Sequence, residues 1–206
     1  MPTVSARRHE SLVYLNEDDP LSKRMILQTA LRLFAERGIH AVTVRDIAKD
    51  AGYTNPALFK YFDSKDSLVL FLFEHCYADL CRKLESGAPQ TLQFAKRLRG
   101  IVEVFLNQLD EDPASILFVQ EHLRELWPRV SRKVRAHSIV ALIRKTLEAG
   151  RAEGAVGQDS DLDLLGVAVI GTLAQFARLA YFGEFKKPVI GYAPEIVKIL
   201  RGLTTQ

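Results

Sequence analysis

Apolar residues recur at spacings of three and four along most of this chain, and that periodicity limits the fold more than any other feature. From Leu21 to Phe34 the apolar positions fall on one face of a helix. Beyond Ser64 the pattern continues nearly to the end, and no segment has the strict alternation typical of a β-strand. The chain is therefore predicted to be all-α, with about nine helices, of which the first three are short.

Glycine and proline mark where the predicted helices begin and end. Ser22 is expected to cap the first helix, and Gly38 to stop it, because glycine adopts a left-handed conformation without a Cβ penalty. Later breaks are predicted at Gly87 to Pro89, Asp110 to Pro113, Pro128, Gly150 to Gly157, Gly183 to Pro188 and Pro194. This spacing predicts a small N-terminal unit joined to a larger helical bundle.

Composition excludes several classes of protein. Of the 206 residues, 48% are apolar and 26% are charged, which rules out a collagen, a low-complexity chain and wholesale disorder. The net charge of +3 permits nucleic acid as a partner without arguing for it. Two cysteines cannot build a disulfide framework, and no signal peptide is visible, so the sequence predicts a cytoplasmic protein.

The most apolar segment, Leu164 to Phe182, raises the question of a membrane. Gln175 and Arg178 interrupt it, and its unbroken apolar or small run, Leu164 to Ala174, has 11 residues. A spanning helix needs about 20 residues, and a shorter helix that is apolar nearly all round is usually buried in protein. We therefore predict no contact with a membrane.

Residues 43–65 begin with a short helix that carries a strong start signal. This helix is predicted over Val44 to Asp50, with Thr43 as its N-cap. Asp46 falls at the third helical position, where an acidic side chain completes a variant of the capping box. A turn at Ala51 to Tyr53 follows, and Gly52 supplies the positive φ that such a turn needs.

A second short helix follows the turn, over Asn55 to Tyr61. Thr54 is expected to cap it, and Pro56 falls in the first turn, where no backbone N–H is needed. The side chains expected to face a common core are Ile47, Ala51, Leu58 and Phe62. Two helices joined by a tight glycine turn form a helix-turn-helix, which places its second helix in the major groove of DNA.

These residues resemble the TetR family of bacterial transcriptional regulators. The matching stretches are Ile26 to Ala30, Leu33 to Gly38, Thr43 to Ala48, Ala51-Gly52, Leu58 to Phe62 and Ser64 to Leu68. Two positions depart from the family pattern. The family usually has tyrosine where Phe59 stands, and Tyr61 is expected to take over its phosphate contact. Tyr53 replaces a small aliphatic residue and is expected to add a contact at the start of the helix.

The resemblance implies the organisation of the whole chain. Residues 1–20 would be a flexible tail, and residues 21–80 a DNA-binding domain whose helix-turn-helix motif covers about 44–63. Residues 81–206 would form a ligand-binding and dimerisation domain. The family implies a homodimeric regulator, most often a repressor, which an apolar or amphipathic small molecule releases from a palindromic operator in double-stranded DNA. Arg7 and Arg8 are expected to be part of a solvated tail, although an arm in the minor groove is the alternative.

Charge and position divide the candidate DNA contacts into two groups. Residues 21–68 hold eight basic and five acidic residues, a net charge of +3. The side chains expected to hold phosphates are Thr43, Lys60, Tyr61 and Lys65. The side chains expected to read bases or groove edges are Tyr53, Thr54, Asn55 and Arg45.

The apolar segment at Leu164 to Phe182 is expected to form the dimer interface with the last helix, Ala193 to Leu203. Its small residues would let a partner helix approach closely, and they are Gly166, Gly171, Ala174 and Ala177. An ordinary buried central helix is the alternative. The residues expected to line a ligand pocket are Phe105, Leu109, Phe118, Trp127, Ile143, Leu147, Leu173 and Phe176. Trp127 is favoured among these, because it precedes Pro128 at a helix junction and tryptophan often contacts ligands.

The sequence gives little support for a redox, metal-binding or catalytic function. Cys76 and Cys81 are expected to be buried packing residues rather than a redox pair. Glu121, His122 and Glu125 are interpreted as a solvated face rather than a metal site. No phosphate loop, dinucleotide motif, zinc motif or serine nucleophile motif is found, so no catalytic residue, cofactor or enzyme activity is predicted. The competing hypothesis is an all-α ligand carrier or enzyme without specific DNA binding.

Overall fold

A computed structural model describes residues 18–89 and 93–204 of the chain. All of its regular structure in these ranges is helical, which confirms the all-α prediction. Nine α-helices of five or more residues are present there, together with a four-residue helical turn and two 3₁₀ turns. The chain divides into two compact units, which we call unit 1 (up to His75) and unit 2 (from Cys76). The predicted tail lies outside the described residues as far as residue 17.

Unit 1 contains three complete helices and the beginning of a fourth. These are α1 (Leu21–Arg37), α2 (Val44–Asp50), α3 (Asn55–Phe59) and the first part of α4 (Lys65–Gly87). Fully buried side chains from all four form its core: Ile26, Leu27, Leu33, Phe34, Ile47, Leu58 and Leu68. Gly38 ends α1 with φ at +77°, as predicted.

Three details of unit 1 differ from the sequence predictions. The first helix was predicted to be short, but α1 has 17 residues. The predicted cap Ser22 is wrong, because α1 begins at Leu21 after Pro20 and Ser22 lies inside its first turn. Helix α3 ends at Phe59, two residues before the predicted end. The N–H groups of Tyr61 and Phe62 both donate to the carbonyl oxygen of Leu58, and this tightens the chain into a turn.

Unit 2 is a bundle of longer helices. They are the rest of α4, α5 (Phe94–Glu111), α6 (Pro113–Leu126), α7 (Arg132–Arg135), α8 (Ile139–Ala152), α9 (Leu162–Tyr181) and α10 (Ala193–Thr204). The 3₁₀ turns are Trp127–Arg129 and Val189–Tyr192. One large buried apolar cluster joins α5, α8, α9 and α10. Most helix breaks therefore fall where glycine and proline predicted them, but the break between α7 and α8 at 136–138 contains neither residue and was not predicted.

Helix α9 is the one described helix that is long and apolar enough to cross a membrane by length and composition alone. Its inner side packs within unit 2, where Val169, Leu173, Phe176 and Ala177 are buried in the apolar cluster. Its outer side stays exposed. Helix α10 packs beside it.

Candidate nucleic-acid interface

The helix-turn-helix begins with a complete capping box on α2. The Oγ1 of Thr43 accepts a hydrogen bond from the backbone N–H of Asp46 at 3.2 Å, and it donates to Oδ2 of Asp46 at 2.6 Å. The backbone N–H of Thr43 donates to the same carboxylate oxygen at 2.9 Å. These bonds lower the pKa of Asp46. Helix α2 therefore has a defined start, as the sequence predicted.

The turn between α2 and α3 depends on Gly52. Its φ is +76°, which only glycine adopts without strain, and its N–H donates to the carbonyl oxygen of Lys49 at 3.1 Å. The N–H of Tyr53 donates to the carbonyl oxygen of Ala48 at 2.8 Å, so the chain reverses within three residues. The turn brings the fully buried Leu58 of α3 into the core of unit 1.

Thr54 is the N-cap residue of α3, but its side chain makes no capping hydrogen bond. A cap normally accepts from the second or third helical N–H. Pro56, at the second position, has no N–H, and the N–H of Ala57 donates to the backbone carbonyl oxygen of Thr54 at 3.0 Å. Thr54 is therefore the N-cap residue, as predicted, but its side chain makes no capping hydrogen bond.

The predicted base-reading residues lie at accessible positions. Thr54 and Asn55, at the start of α3, and Arg45 on α2 are all exposed, whereas Tyr53 is half-buried. The start of α3 is the end of a recognition helix at which side chains meet base edges. Three of the four side chains are thus accessible to a base edge, and Tyr53 is partly so.

The predicted phosphate-binding residues at the other end of α3 have partners within the protein. The hydroxyl of Tyr61 is hydrogen-bonded to Oγ of Ser22 at 2.7 Å, which ties α3 to α1. The ammonium group of Lys60 lies 5.9 Å from the centre of the Tyr61 ring. Lys60 is exposed, so its charge remains accessible to a phosphate.

Lys65 has a structural role that the sequence did not predict. Its ammonium group donates to the carbonyl oxygens of Ile39 and Val42, both at 2.9 Å. It thereby holds the loop between α1 and α2 against the start of α4. Two of its three N–H donors are used in this way, so a phosphate contact would depend on the third.

Phe59 is the functional candidate that sequence reasoning left out of the DNA-binding set. It lies on α3 with 48% of its surface exposed, although exposure of an apolar phenyl ring to water is unfavourable. The sequence did contain a signal, since Phe59 was one of the two departures from the family pattern. An exposed apolar ring on a recognition helix is suited to contact with a thymine methyl group.

Unit 2 carries an exposed apolar face on its last two helices. Its members, which we call the α9–α10 face, are Leu164, Val167, Leu179 and Phe182 from α9 and its end, and Ile199 and Leu203 from α10. Of the small residues predicted to admit a partner helix, only some lie on this side. Gly171 is exposed, but Ala177 is fully buried, and a Cβ on Gly166 would contact Ile143 of the same chain.

The residues predicted to line a ligand pocket are largely part of the unit 2 core. The six that lie in its main apolar cluster are Phe105, Leu109, Ile143, Leu147, Leu173 and Phe176. Phe118 is fully buried on α6. Trp127 differs because it is half-buried, with its ring 5.0 Å from that of Tyr77.

The cysteines are buried, as predicted. Burial raises the pKa of Cys76 well above its ordinary value, and it raises the pKa of Cys81 to about 11. Reactive cysteines have lowered pKa values, so these thiols are packing groups. Within residues 18–89 and 93–204, no group of three or more His, Cys, Asp or Glu side chains is arranged to hold a metal ion.

Comparison with known proteins agrees with this geometry. Residues 26–71 match the family model described as bacterial regulatory proteins of the tetR family. The HTH-type transcriptional repressor KstR2 of Rhodococcus jostii (strain RHA1) is 30% identical over 143 residues, which are 68% of this chain and 70% of the relative. The sequence similarity to this repressor therefore covers 68% of the chain.

Solved structures extend the likeness to the whole fold. The ketosteroid transcriptional regulator KstR2 of Mycobacterium tuberculosis superposes with a TM-score of 0.75 at 25% identity, over 89% of this chain and 95% of that one. The regulator FadR from Bacillus subtilis, solved in complex with stearoyl-CoA, gives 0.72 at 19% identity, over 86% and 96%. At 19% identity, the similarity to FadR shows a shared fold and nothing more.

Proposed function

This chain belongs to the TetR family of bacterial transcriptional regulators, and we propose that it acts as a dimeric repressor that a small-molecule effector releases from a palindromic operator. As a member of this family, the chain is a DNA-binding transcriptional regulator. The observation that carries the proposal is the helix-turn-helix of unit 1. Its capped α2 and its Gly52 turn present the exposed Thr54 and Asn55 at the start of α3.

For DNA recognition we propose that α3 enters the major groove. Tyr53, Thr54, Asn55 and Arg45 would read bases or groove edges there. Phosphates would be held by the flanking side chains Thr43, Lys60, Tyr61 and Lys65. Lys60 is the strongest of these candidates, since Tyr61 and Lys65 already have partners in the protein.

For assembly we propose a homodimer joined through the α9–α10 face. Exposed apolar side chains on two adjacent helices favour association with the same face of a second copy, which is the self-complementary arrangement of a two-fold dimer. The two copies of α3 would then lie about one helical turn of DNA apart, or about 34–36 Å. A two-fold protein requires a palindromic or nearly palindromic operator.

For the effector we propose a molecule with a large apolar group, which the core side chains of unit 2 and Trp127 would surround. One compared protein is named a ketosteroid transcriptional regulator and another was solved in complex with stearoyl-CoA, and both molecules contain a large apolar group. Release requires that the effector bind better to a dimer geometry that does not fit the operator, since a ligand with equal affinity for both geometries shifts nothing.

Such a repressor would act in the cytoplasm, where its operator lies. Residues 21–80 would bind DNA, and residues 81–206 would bind the effector and form the dimer. The compared proteins are named as regulators rather than as enzymes, which favours regulation over the alternative of a ligand carrier or an enzyme.

Fluorescence anisotropy on labelled DNA tests the proposal. The probe is the fragment upstream of the protein's own gene, with scrambled DNA as competitor and with salt titrated. We expect tight binding that survives the competitor and that an apolar ligand reverses. Weak binding that is equal on both fragments, together with saturable ligand binding, would instead favour the ligand carrier.

A further inference from the structure

Phe59 has no part in the DNA contacts proposed above, although it lies on the recognition helix. Its side chain is 48% exposed, whereas its neighbours Leu58 and Phe62 are buried. The other exposed large apolar side chains in the described part of unit 1 are Leu21 and Met25, and both lie on α1. Among the large apolar side chains of α2 and α3, all of which the structure describes, Phe59 alone is therefore exposed to water.

Contacts on either side of Phe59 hold it in this exposed position. Leu58 is fully buried in the core of unit 1, and each residue of a helix is turned by about 100° from the one before it, so burial of Leu58 turns Phe59 outward. The hydroxyl of Tyr61 is hydrogen-bonded to Oγ of Ser22 at 2.7 Å. Helix α3 is thus fixed on α1 in the orientation that exposes Phe59.

A phenyl ring has a narrow choice of partners on DNA. It carries no hydrogen-bonding group, so it cannot bind a phosphate as Lys60 can, and it cannot pair with the polar groups of the base edges. The four standard bases present one apolar group in the major groove, which is the C5-methyl group of thymine. Contact between the ring and this methyl group removes apolar surface of both from water. The chemistry of Phe59 therefore matches thymine rather than any other base.

The position of Phe59 relative to Asn55 locates this contact along the operator. The two residues are four positions apart and both are exposed, so their side chains lie on the same face of α3. Four residues advance a helix by about 6 Å, whereas successive base pairs are about 3.4 Å apart. A base that Phe59 contacts therefore lies within about two base pairs of a base that Asn55 contacts.

We propose that Phe59 is a specificity-determining residue, which reads a thymine by packing its ring on the C5-methyl group. This inference rests on the proposed function, because it requires α3 to lie in the major groove. The thymine lies within about two base pairs of the position that Asn55 reads, on either strand. A two-fold dimer makes the same contact in both half-sites.

Deoxyuridine tests this contact directly, because it lacks the methyl group of thymidine and forms the same base pair with adenine. Competition anisotropy compares operator duplexes in which each thymine is replaced in turn, symmetrically in both half-sites, with the unmodified operator. The full-length test variants are Phe59→Ala and Phe59→Leu, of which the second keeps a branched apolar side chain. The matched control is Lys60→Ala, at the exposed residue that follows Phe59. The measured quantity is the ratio of the two affinities for each protein.

For the wild type we expect one thymine in each half-site at which deoxyuridine lowers the affinity. The loss of one buried methyl group corresponds to about fourfold per half-site, or about fifteenfold for both together. Phe59→Ala should bind the two duplexes equally at this position, and Phe59→Leu should fall between. Lys60→Ala should weaken both duplexes and keep the wild-type ratio. A partly unfolded variant would lower both affinities alike, so the ratio isolates the methyl contact.

The contact and the proposed function can fail separately. If the wild type binds its operator specifically but deoxyuridine has no effect at any thymine, or if Phe59→Ala keeps the wild-type ratio, this inference fails and the proposed function stands. A sensitive thymine more than about three base pairs from the position that Asn55 reads would also contradict it. A wild-type protein that prefers no DNA sequence would overturn the inference and the proposed function together.

Discussion

Single residues of unit 1 combine structural and functional roles, and Lys65 is the clearest case. Its charge beside a recognition helix predicted a phosphate contact, but the ammonium group is hydrogen-bonded to two carbonyl oxygens of the loop between α1 and α2. A sequence pattern gives the charge of a side chain. It does not give the carbonyl groups that distant segments bring within reach of that charge.

Lys65→Met should therefore lower the stability of the protein. Two charge-assisted hydrogen bonds are lost and two carbonyl groups lose a donor, which costs about 2–3 kcal/mol of unfolding free energy. Urea denaturation measures this cost, and Lys60→Met, an exposed lysine on the same motif, is the control with little change. A stable Lys65→Met protein whose DNA affinity has a reduced salt dependence would instead restore the phosphate contact as its main role.

Asn55 is exposed at the start of α3, where a side chain meets base edges. Asn55→Ala should relax the preference for one operator position, at a cost of about 1–3 kcal/mol if a bidentate base contact is lost. Competition anisotropy on cognate and singly substituted operators measures the change. Lys60→Ala is the matched control and should weaken all sequences alike. Equal losses on cognate and scrambled DNA for Asn55→Ala would reassign Asn55 to the backbone.

At the scale of elements, local sequence signals predicted the helix-turn-helix well. The capping box at Thr43 and the positive φ at Gly52 depend on residues close in the chain, so a sequence pattern contains everything that determines them. The prediction that Ser22 caps α1 was wrong, and its hydroxyl meets that of Tyr61, 39 positions away. Thr54 is the N-cap residue of α3, as predicted, but it makes no side-chain capping bond, and Pro56 at the second helical position has no N–H to offer it.

Unit 2 was predictable to a smaller extent. Glycine and proline predicted most of the helix ends, but the burial of individual side chains depends on which helices pack together. Gly171 and Ala177 were assigned to one interface because both are small, yet at about 100° per residue they lie on different faces of the helix, and Ala177 is buried while Gly171 is exposed. The candidate pocket had the same difficulty, since residues that line a pocket and residues that fill a core have the same composition.

Thr43→Ala should destabilise α2 by removing its cap. We expect a loss of about 1 kcal/mol in unfolding free energy, with Thr43→Ser as the control that retains the hydroxyl. The pKa of Asp46 is lowered in the folded state, so its contribution is present above the ordinary aspartate pKa of about 4 and is lost as the pH falls below it. Thermal denaturation from pH 6 to pH 3 should therefore show a smaller Thr43→Ala effect in acid. An equal effect at all pH values would contradict this coupling.

At the scale of the whole molecule, the proposed dimer depends on the α9–α10 face. Val167 is 67% exposed, so Val167→Asp disturbs little within one chain, but it would place a charge in an apolar interface between two chains. We expect a folded protein that sediments as a 23.2 kDa monomer. Leu123→Asp, at an exposed apolar residue on α6, is the control and should sediment like the wild type. A Val167→Asp dimer would place the interface elsewhere.

Selection of bound sequences from a pool of random DNA duplexes tests the central claim most directly, since it needs no prior choice of operator. A dimer that reads DNA through two copies of α3 should enrich an inverted repeat. Its half-sites should have centres about 10 base pairs apart, or a multiple of one helical turn. Enrichment of a single unrepeated site would contradict the dimeric reading. No enrichment over the starting pool would contradict the claim that this chain is a sequence-specific regulator.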